Sequence, residues 1–431
     1  MQKPALAGKK QTVNFGPLLF QRAGRCDILL HEKEEATVRK LSRCLAVALL
    51  LAGLMVCLAP CLSQADGQEV SLYCLNIGKA DCMLLCSGRQ TFLIDAGYAQ
   101  TYAALETALE QLNIDYLDGV ILTHCHKDHA GGLMALAESG IQVGAWYAAE
   151  IYYDVKQGEH PAMLAAAVRG ETVVWLRAGD VIPVDGQGAL TVLGPLSVNE
   201  DNENNNSLVL RFSSPQGSIL FAGDMKETEE EELLAAGVLE KSDVLKVGHH
   251  GGGEASTLAF LRAVQPKAAV ILTNTQERSA TPDAAVLNRL SAVGCTAYVS
   301  QDARDALLVV LSGGEAAVRD VAWEGVPARA EGITLTLDME QDALTLRNEG
   351  EDALELTGGV LYSSKGDETL ILPRVTLLPG ETYVVGSQST EIACDLLWEE
   401  KRVWHKKKWD QAILYDCYGR AIARTDNGLS E

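Results

Sequence analysis

Cysteine pairs, aromatic mass and positive charge are what this sequence has least of, and each shortage excludes something. Of eleven cysteines, seven follow Ala65 (Cys74, Cys82, Cys86, Cys125, Cys295, Cys394 and Cys417), an odd number with no CxxC pair, so this is no disulfide scaffold. Most of them read as small buried apolar residues, and Cys125 as core. Aromatic residues make up 6% of the chain. Lys and Arg number 36 against 58 Asp and Glu, a formal net charge of −22. Residues 1–65 hold nine basic and four acidic side chains, a local +5, so the remainder stands at −22 − 5 = −27. A body this acidic does not attract nucleic acid through its overall field, and a polyanionic substrate needs local cations or a metal.

Long apolar runs are scarce as well. The exception is "LAVALLLAGLMVCLAPCL", residues 45–62, preceded by Arg39, Lys40 and Arg43 and followed by "SQAD". Basic flank, apolar stretch and small residues at Ser63 and Ala65 make a secretory signal peptide. An uncleaved N-terminal anchor is the competing reading, because ~18 residues is the lower limit for a span. The expected location is secreted or extracytoplasmic, with no membrane domain beyond this segment. The stretch before Val38 is charged and patternless, and Val38 opens a signal peptide of ordinary length.

From Val70 the pattern is short apolar strands broken by glycine turns, "VSLYCLNIG", "CMLLCSG" and "TFLIDAG", then the amphipathic helix "TYAALETALEQLN" and the buried strand "LDGVILTH". Later strands are "SLVLRFSS", "GSILFAGD" and "DVLKVGHH". The intervening "KETEEEELLAAG" reads as a helix with a solvated face. Strands with helices outside them predict a layered α/β sandwich. Residues 325–331 read as a linker, and beyond them helical periodicity gives way to short strands with turn signals. The expected organisation is 1–65 N-terminal extension and signal or anchor, 66–324 layered α/β domain, 325–331 linker and 332–431 small all-β sandwich.

Histidine is rare too, eight in all, yet three fall in "HCHKDH", residues 124–129. His124 and His126 alternate on an extended segment and point the same way. Asp128 and His129 follow where a helix starts. Clustered imidazole and carboxylate suit zinc, iron or manganese.

This string resembles the HxHxDH signature of the metallo-β-lactamase superfamily. "FLIDAG", "LFAGDM" with Asp224, and "LKVGHHGG" with His249 and His250 resemble its other motifs, in order and each at the end of a predicted strand. "LNIGKAD", "NNNSLVLRF" and "DVLKVGHHG" are similar to the hydrolase part of the competence protein ComEC and its stand-alone relatives. Phosphorylcholine esterases share the layout. The resemblance implies a four-layer αββα fold and two divalent metal ions, zinc or manganese. His124 and His126 would hold the first, Asp128, His129 and His250 the second, with Asp224 bridging. His249 would be proton donor or substrate contact, and it could exchange roles with His250. Asp128 could orient a metal-bound hydroxide that attacks phosphorus or a carbonyl carbon. Lys79 is a candidate cation for a phosphate, against the equal reading of an exposed loop lysine; Asp81 and Asp95 would orient ligands. The sequence departs from the group at Lys79–Ala80, at Gly252 and at Thr281, and "NNNS" stands where a third-motif histidine is usual, which makes Asn206 and Ser207 candidate substrate contacts.

Residues 332–425 resemble the lamin-tail domain, an immunoglobulin-like sandwich, through "LLPGETYVV" and "WHKKKWDQAILYDCYGR". Within it "KRVWHKKKW" is the basic patch with aromatics. Lys406, Lys407 and Lys408 could bind phosphates, with Trp404 or Trp409 stacking, against the reading of a solvated loop whose tryptophans pack inward; His405 is read as no ligand. The expected function is a secreted dinuclear-metal phosphodiesterase of nuclease type, acting on DNA or a cell-surface polymer. The alternatives are a hydrolase of a small phosphorylcholine-type or other ester, and a non-catalytic metal-binding surface protein.

Overall fold

The computed structural model describes residues 69–152, 160–276 and 281–429. The signal or anchor segment and the rest of residues 1–65 lie outside the described residues. Among those described, no helix is long and apolar enough to cross a membrane.

Two sheets face each other. The first runs Glu315–Val321, Ala306–Ser312, Val70–Leu75, Cys82–Ser87, Gln90–Ala96, Gly119–Leu122, Trp146–Ala149 and Val173–Leu176. The second runs Thr296–Val299, Ala268–Ile271, Val244–Lys246, Gly217–Phe221, Val209–Ser214, Gly188–Gly194 and Val181–Val184. Alternation along the strands drives this arrangement. Leu72, Met83 and Ile94 of the first sheet meet Leu210, Phe212 and Phe221 of the second in one core. The opposite faces are covered by helices: Leu105 and Leu109 of Tyr102–Gln111 pack on the first sheet, Phe260, Leu261 and Leu290 on the second. Helices outside two sheets make the four-layer αββα sandwich.

The helix Glu227–Ala236 departs from its expected solvated face. Glu229 and Glu230 are each 1% exposed. Glu230 is held because its carboxylate accepts the amides of Ser256 and Thr257, the latter at 2.8 Å, at the entry to helix Leu258–Val264. Four amides at a helix start lack internal partners, and a buried carboxylate supplies one here.

The C-terminal strands form two four-stranded sheets, one containing Ala343–Asn348 and Thr382–Gly386, the other Val360–Ser363 and Gln411–Tyr415. Leu344, Leu361, Trp398, Trp404 and Leu414 fill the space between. Trp404 is 1% exposed and packs edge-on to Trp398 with centroids 5.7 Å apart, so it is core and cannot stack on a substrate. Residues 325–331 are bonded into the body: the carbonyls of Val326 and Pro327 accept from Arg304 and Arg420, and Arg329 donates to Asn76 O at 3.3 Å.

Candidate metal centre

The site lies where strands of both sheets end. The strand Gly119–Leu122 gives way to Thr123 and His124, and the short helix Lys127–Ala130 begins directly after His126. Gly131 and Gly132 let this turn press against the first sheet. A Cβ on Gly132 would stand 2.3 Å from Ala96 O, and one on Gly131 2.7 Å from Ala99 N and 2.9 Å from Gly97 O, just past the strand that ends at Ala96. From the second sheet, Asp224 follows Gly217–Phe221, and His249 and His250 follow Val244–Lys246. Both histidines have left-handed backbone, φ 45° and 53°. Such conformations in residues other than glycine persist where surrounding structure imposes them, and they concentrate at functional sites.

Asp128, His129, Asp224 and His250 each present one ligand-type atom, all within 4.8 Å of one another. His129 Nε2 is 3.3 Å from Asp224 Oδ1; His250 Nε2 is 3.3 Å from Asp128 Oδ2 and 3.4 Å from Asp224 Oδ2. Donors bound at 2.0–2.1 Å around one tetrahedral ion stand about 3.3 Å apart. His129 Nε2, His250 Nε2 and Asp224 Oδ1 are buried and make no hydrogen bond of good geometry. The opposite nitrogen of each ring is engaged: His129 Nδ1 donates to Asp95 Oδ2 at 2.7 Å and His250 Nδ1 to Leu272 O at 2.8 Å. That tautomer leaves both Nε2 lone pairs turned inward, as ligands need. His124 Nε2 and His126 Nδ1 meet at 3.0 Å beside this group, and His124 Nε2 is 3.9 Å from Asp224 Oδ2. The residues present fit divalent metal ions.

Electrostatics agree. Burial by itself would lower the pKa of His250, but the Asp224 carboxylate and the hydrogen bond to Asp128 outweigh it and push the ring up to about 10. Burial likewise opposes charge on His129, and Asp224 and Asp95 carry its pKa well above the ordinary histidine value. The carboxylates thus demand positive charge at this point, and a divalent ion meets that demand with release of the protons.

Beneath the group lies a residue that the sequence reading missed. Lys246 is fully buried and donates to Gly223 O at 2.8 Å. It pairs with Asp81 and stands 3.8 Å from Asp224 Oδ1. Burial disfavours its charge; Asp81 and Asp224 outweigh that and raise its pKa. Its signal was a lysine in the otherwise apolar run "VLKV", residues 244–247, a place where a charge requires a partner.

The other expected residues divide. Lys79 and His249 line the cleft above the ligands. Burial lowers the His249 pKa to about 4, and its Nδ1 lies 2.9 Å from Glu254 Oε1, so the neutral ring suits a hydrogen-bonding contact better than a proton donor. Asn206 and Ser207 are buried and bonded into the fold and do not line the cleft. Asn206 is occupied by Asn199 N, Asn199 O and Glu203 at 2.7–2.9 Å, and Ser207 Oγ accepts the Asp224 amide at 3.0 Å. The neighbouring Asn204 lines the cleft instead, with its Oδ1 unbonded. Lys407, Lys408 and Trp409 reach the same cleft, whereas Lys406 does not line it. His405 is structural, its Nδ1 accepting the amides of Lys407 and Lys408. Cys125 is half-buried rather than core, and all seven described cysteines are free.

With this geometry in place, the chain can be compared with known proteins. The Metallo-beta-lactamase superfamily model matches residues 75–275. ComE operon protein 3 of Bacillus subtilis is 28% identical over 253 residues, 54% of this chain and 31% of that protein. Competence protein ComA of Neisseria gonorrhoeae is 28% identical over 231 residues, 52% of this chain and 30% of that protein. This chain therefore matches under a third of the length of these relatives. Among solved structures, a metallo hydrolase from Ignicoccus hospitalis aligns over 59% of this chain and 100% of its own, at 14% identity and a TM-score of 0.38.

Proposed function

We propose that this chain, whose residues 75–275 form a metallo-β-lactamase superfamily domain similar to competence proteins, is an extracytoplasmic metal-dependent phosphodiesterase that cuts DNA. The observation that carries the reading is the convergence of Asp128, His129, Asp224 and His250 on one point, with Asp128 and Asp224 lining a lysine-bearing cleft. Asp128, His129 and His250 would hold one divalent ion and His124 and His126 a second, zinc or manganese, with Asp224 shared. Bound divalent ions supply Lewis acidity and a nucleophile at neutral pH.

The chain's own residues do the rest. Asp95 and Thr123 fix the His129 ring, since Asp95 also accepts the Thr123 amide and hydroxyl at 2.8 Å each. Ser207 and Lys246 hold the Asp224 turn. Asp128 is ionised: burial opposes its charge, but His250 and His129 outweigh it and keep its pKa well below the usual carboxylate range. It is placed to accept a proton or orient the attacking group. Lys79 and His249 face the substrate phosphate. The run at 45–62 supports export, and similarity to competence proteins favours DNA over a small ester.

The test is cleavage of labelled DNA by the purified chain loaded with manganese or zinc, beside Asp224→Ala. Cleavage that needs metal and disappears in the variant supports the reading. Stoichiometric metal without DNA cleavage sinks it and favours a small phosphorylcholine-type ester. A chain that binds metal and hydrolyses neither is a binding protein.

A further inference from the structure

The turn that carries the metal ligands touches the C-terminal sandwich. Lys127, between His126 and Asp128, donates from Nζ to the Tyr362 hydroxyl at 2.7 Å and to Asp367 Oδ1 at 2.8 Å. The Tyr362 hydroxyl donates to the same Asp367 oxygen at 2.6 Å. Lys127 and Asp367 are half-exposed, so the pair adds little stability and its effect is placement. A second attachment is buried. Arg420 Nη1 lies 3.0 Å from Asp305 Oδ1 and donates to Pro327 O at 3.0 Å. Gly419, at φ 70°, sits so close to the start of helix Tyr102–Gln111 that a Cβ would stand 2.8 Å from Thr101 O.

Held at both points, the sandwich forms the far wall of a cleft of about 800 Å³ whose floor is His126, Asp128, Asp224 and His249. Lys365, Lys407, Lys408 and Trp409 stand on that wall. The basic turn is built rather than loose. His405 donates its amide to Asp410 Oδ2 at 2.9 Å, and Asn427 Nδ2 donates to the carbonyls of His405 and Lys408 at 2.8 Å each. In a chain of net charge −22, the acidic residues lining this cleft are Asp128 and Asp224, both claimed by the metal.

We propose that the C-terminal sandwich is a working part of the active site: its wall binds a single nucleic-acid strand flanking the phosphate presented to the metals. Lys365, Lys407 and Lys408 meet neighbouring phosphates and Trp409 offers a base its face, the combination by which sequence-independent strand binders work. A small ester would be spanned by Lys79 and the metal floor and would leave the opposite lysines idle. A cleft of this volume takes a few nucleotides and no duplex. The proposal rests on the phosphodiesterase reading for its substrate, but its test does not depend on turnover.

The experiment measures affinity of the full-length, metal-loaded chain for a fluorescent single-stranded phosphorothioate oligonucleotide, which keeps the backbone charges and resists cleavage, across a salt series. The variants are Lys365→Gln/Lys407→Gln/Lys408→Gln together, each single change, and Lys401→Gln, an exposed lysine outside the cleft. The triple variant is expected to bind at least ~10-fold more weakly at low salt, with the slope of log Kd against log salt reduced by about 2, near 0.7 for each phosphate that a lysine no longer neutralises. Lys401→Gln should match the wild type. An unchanged slope in the triple variant, equal losses in Lys401→Gln, or no binding by the wild type overturns the wall. Failed hydrolysis with the slope change intact sinks the phosphodiesterase reading and leaves the wall standing.

Discussion

Asp95 and His129 face each other at 2.7 Å, Oδ2 to Nδ1, with both side chains sealed from solvent. The contact sets which ring nitrogen keeps a lone pair for a metal. Asp95 does this from a left-handed backbone, φ 57°, at the end of strand Gln90–Ala96. Asn tolerates that conformation, so Asp95→Asn changes charge and leaves backbone strain alone. The variant should fold and should bind zinc or manganese about 10–100-fold more weakly, the usual loss when a ligand's supporting carboxylate is changed. Competition against a chromophoric chelator measures it. Wild-type affinity in the variant would mean that Asp95 holds the turn and does not tune the ligand.

Lys246 and Asp81 are an ion pair with no exposure on either side. Removing one member of such a pair strands the other charge, and Lys246→Met should destabilise the chain by about 3–5 kcal/mol. Lys246→Met/Asp81→Asn should recover most of that loss, because neither charge is left alone. Urea denaturation of the two variants separates this from a packing effect: equal loss in both would place the importance of Lys246 in its volume.

The candidate ligand residues stood out because they are local. "HCHKDH" compresses four donors into six positions, and "GD" and "GHHG" each close an apolar strand. The alternation of strands and helices was legible for a similar reason, since period-two and helical patterns change at glycine turns, whereas the count of four layers came from the family resemblance. What depends on distant pairs was not. Nothing near Lys127 in sequence announces Tyr362 and Asp367, and nothing near Glu230 announces the amides of Ser256 and Thr257. In "NNNS" the three asparagines are equivalent on paper. Only folding sends Asn206 inward to Asn199 and Glu203 and turns Asn204 to the cleft.

That difference gives two variants of opposite character. Asn206→Ala removes three hydrogen bonds from a buried loop, each worth about 1 kcal/mol, and should lower thermal stability. Asn204→Ala removes a side chain whose Oδ1 has no hydrogen-bond partner and should melt close to wild type while weakening oligonucleotide binding. The pair is read by melting curves and by anisotropy on the same samples. A destabilised Asn204→Ala with unchanged binding would return Asn204 to the fold and remove it from the cleft.

Glu229 gives a pH dependence whose sign is opposite to that of an ordinary paired carboxylate. Burial raises its pKa well above the ordinary carboxylate range, Glu232 and Glu230 raise it further, and neither of its oxygens has a hydrogen-bond partner. The folded state therefore holds a proton that the unfolded chain gives up near pH ~4.3. Stability from this group is fully present below that value and is lost as pH rises through the raised folded pKa. Glu229→Gln keeps the shape and carries no ionisable proton. Its melting temperature should match wild type at pH 4 and exceed it increasingly toward pH 8. Parallel melting curves for the two proteins across that range would mean that Glu229 is solvated and ionised like the exposed acids of the same helix.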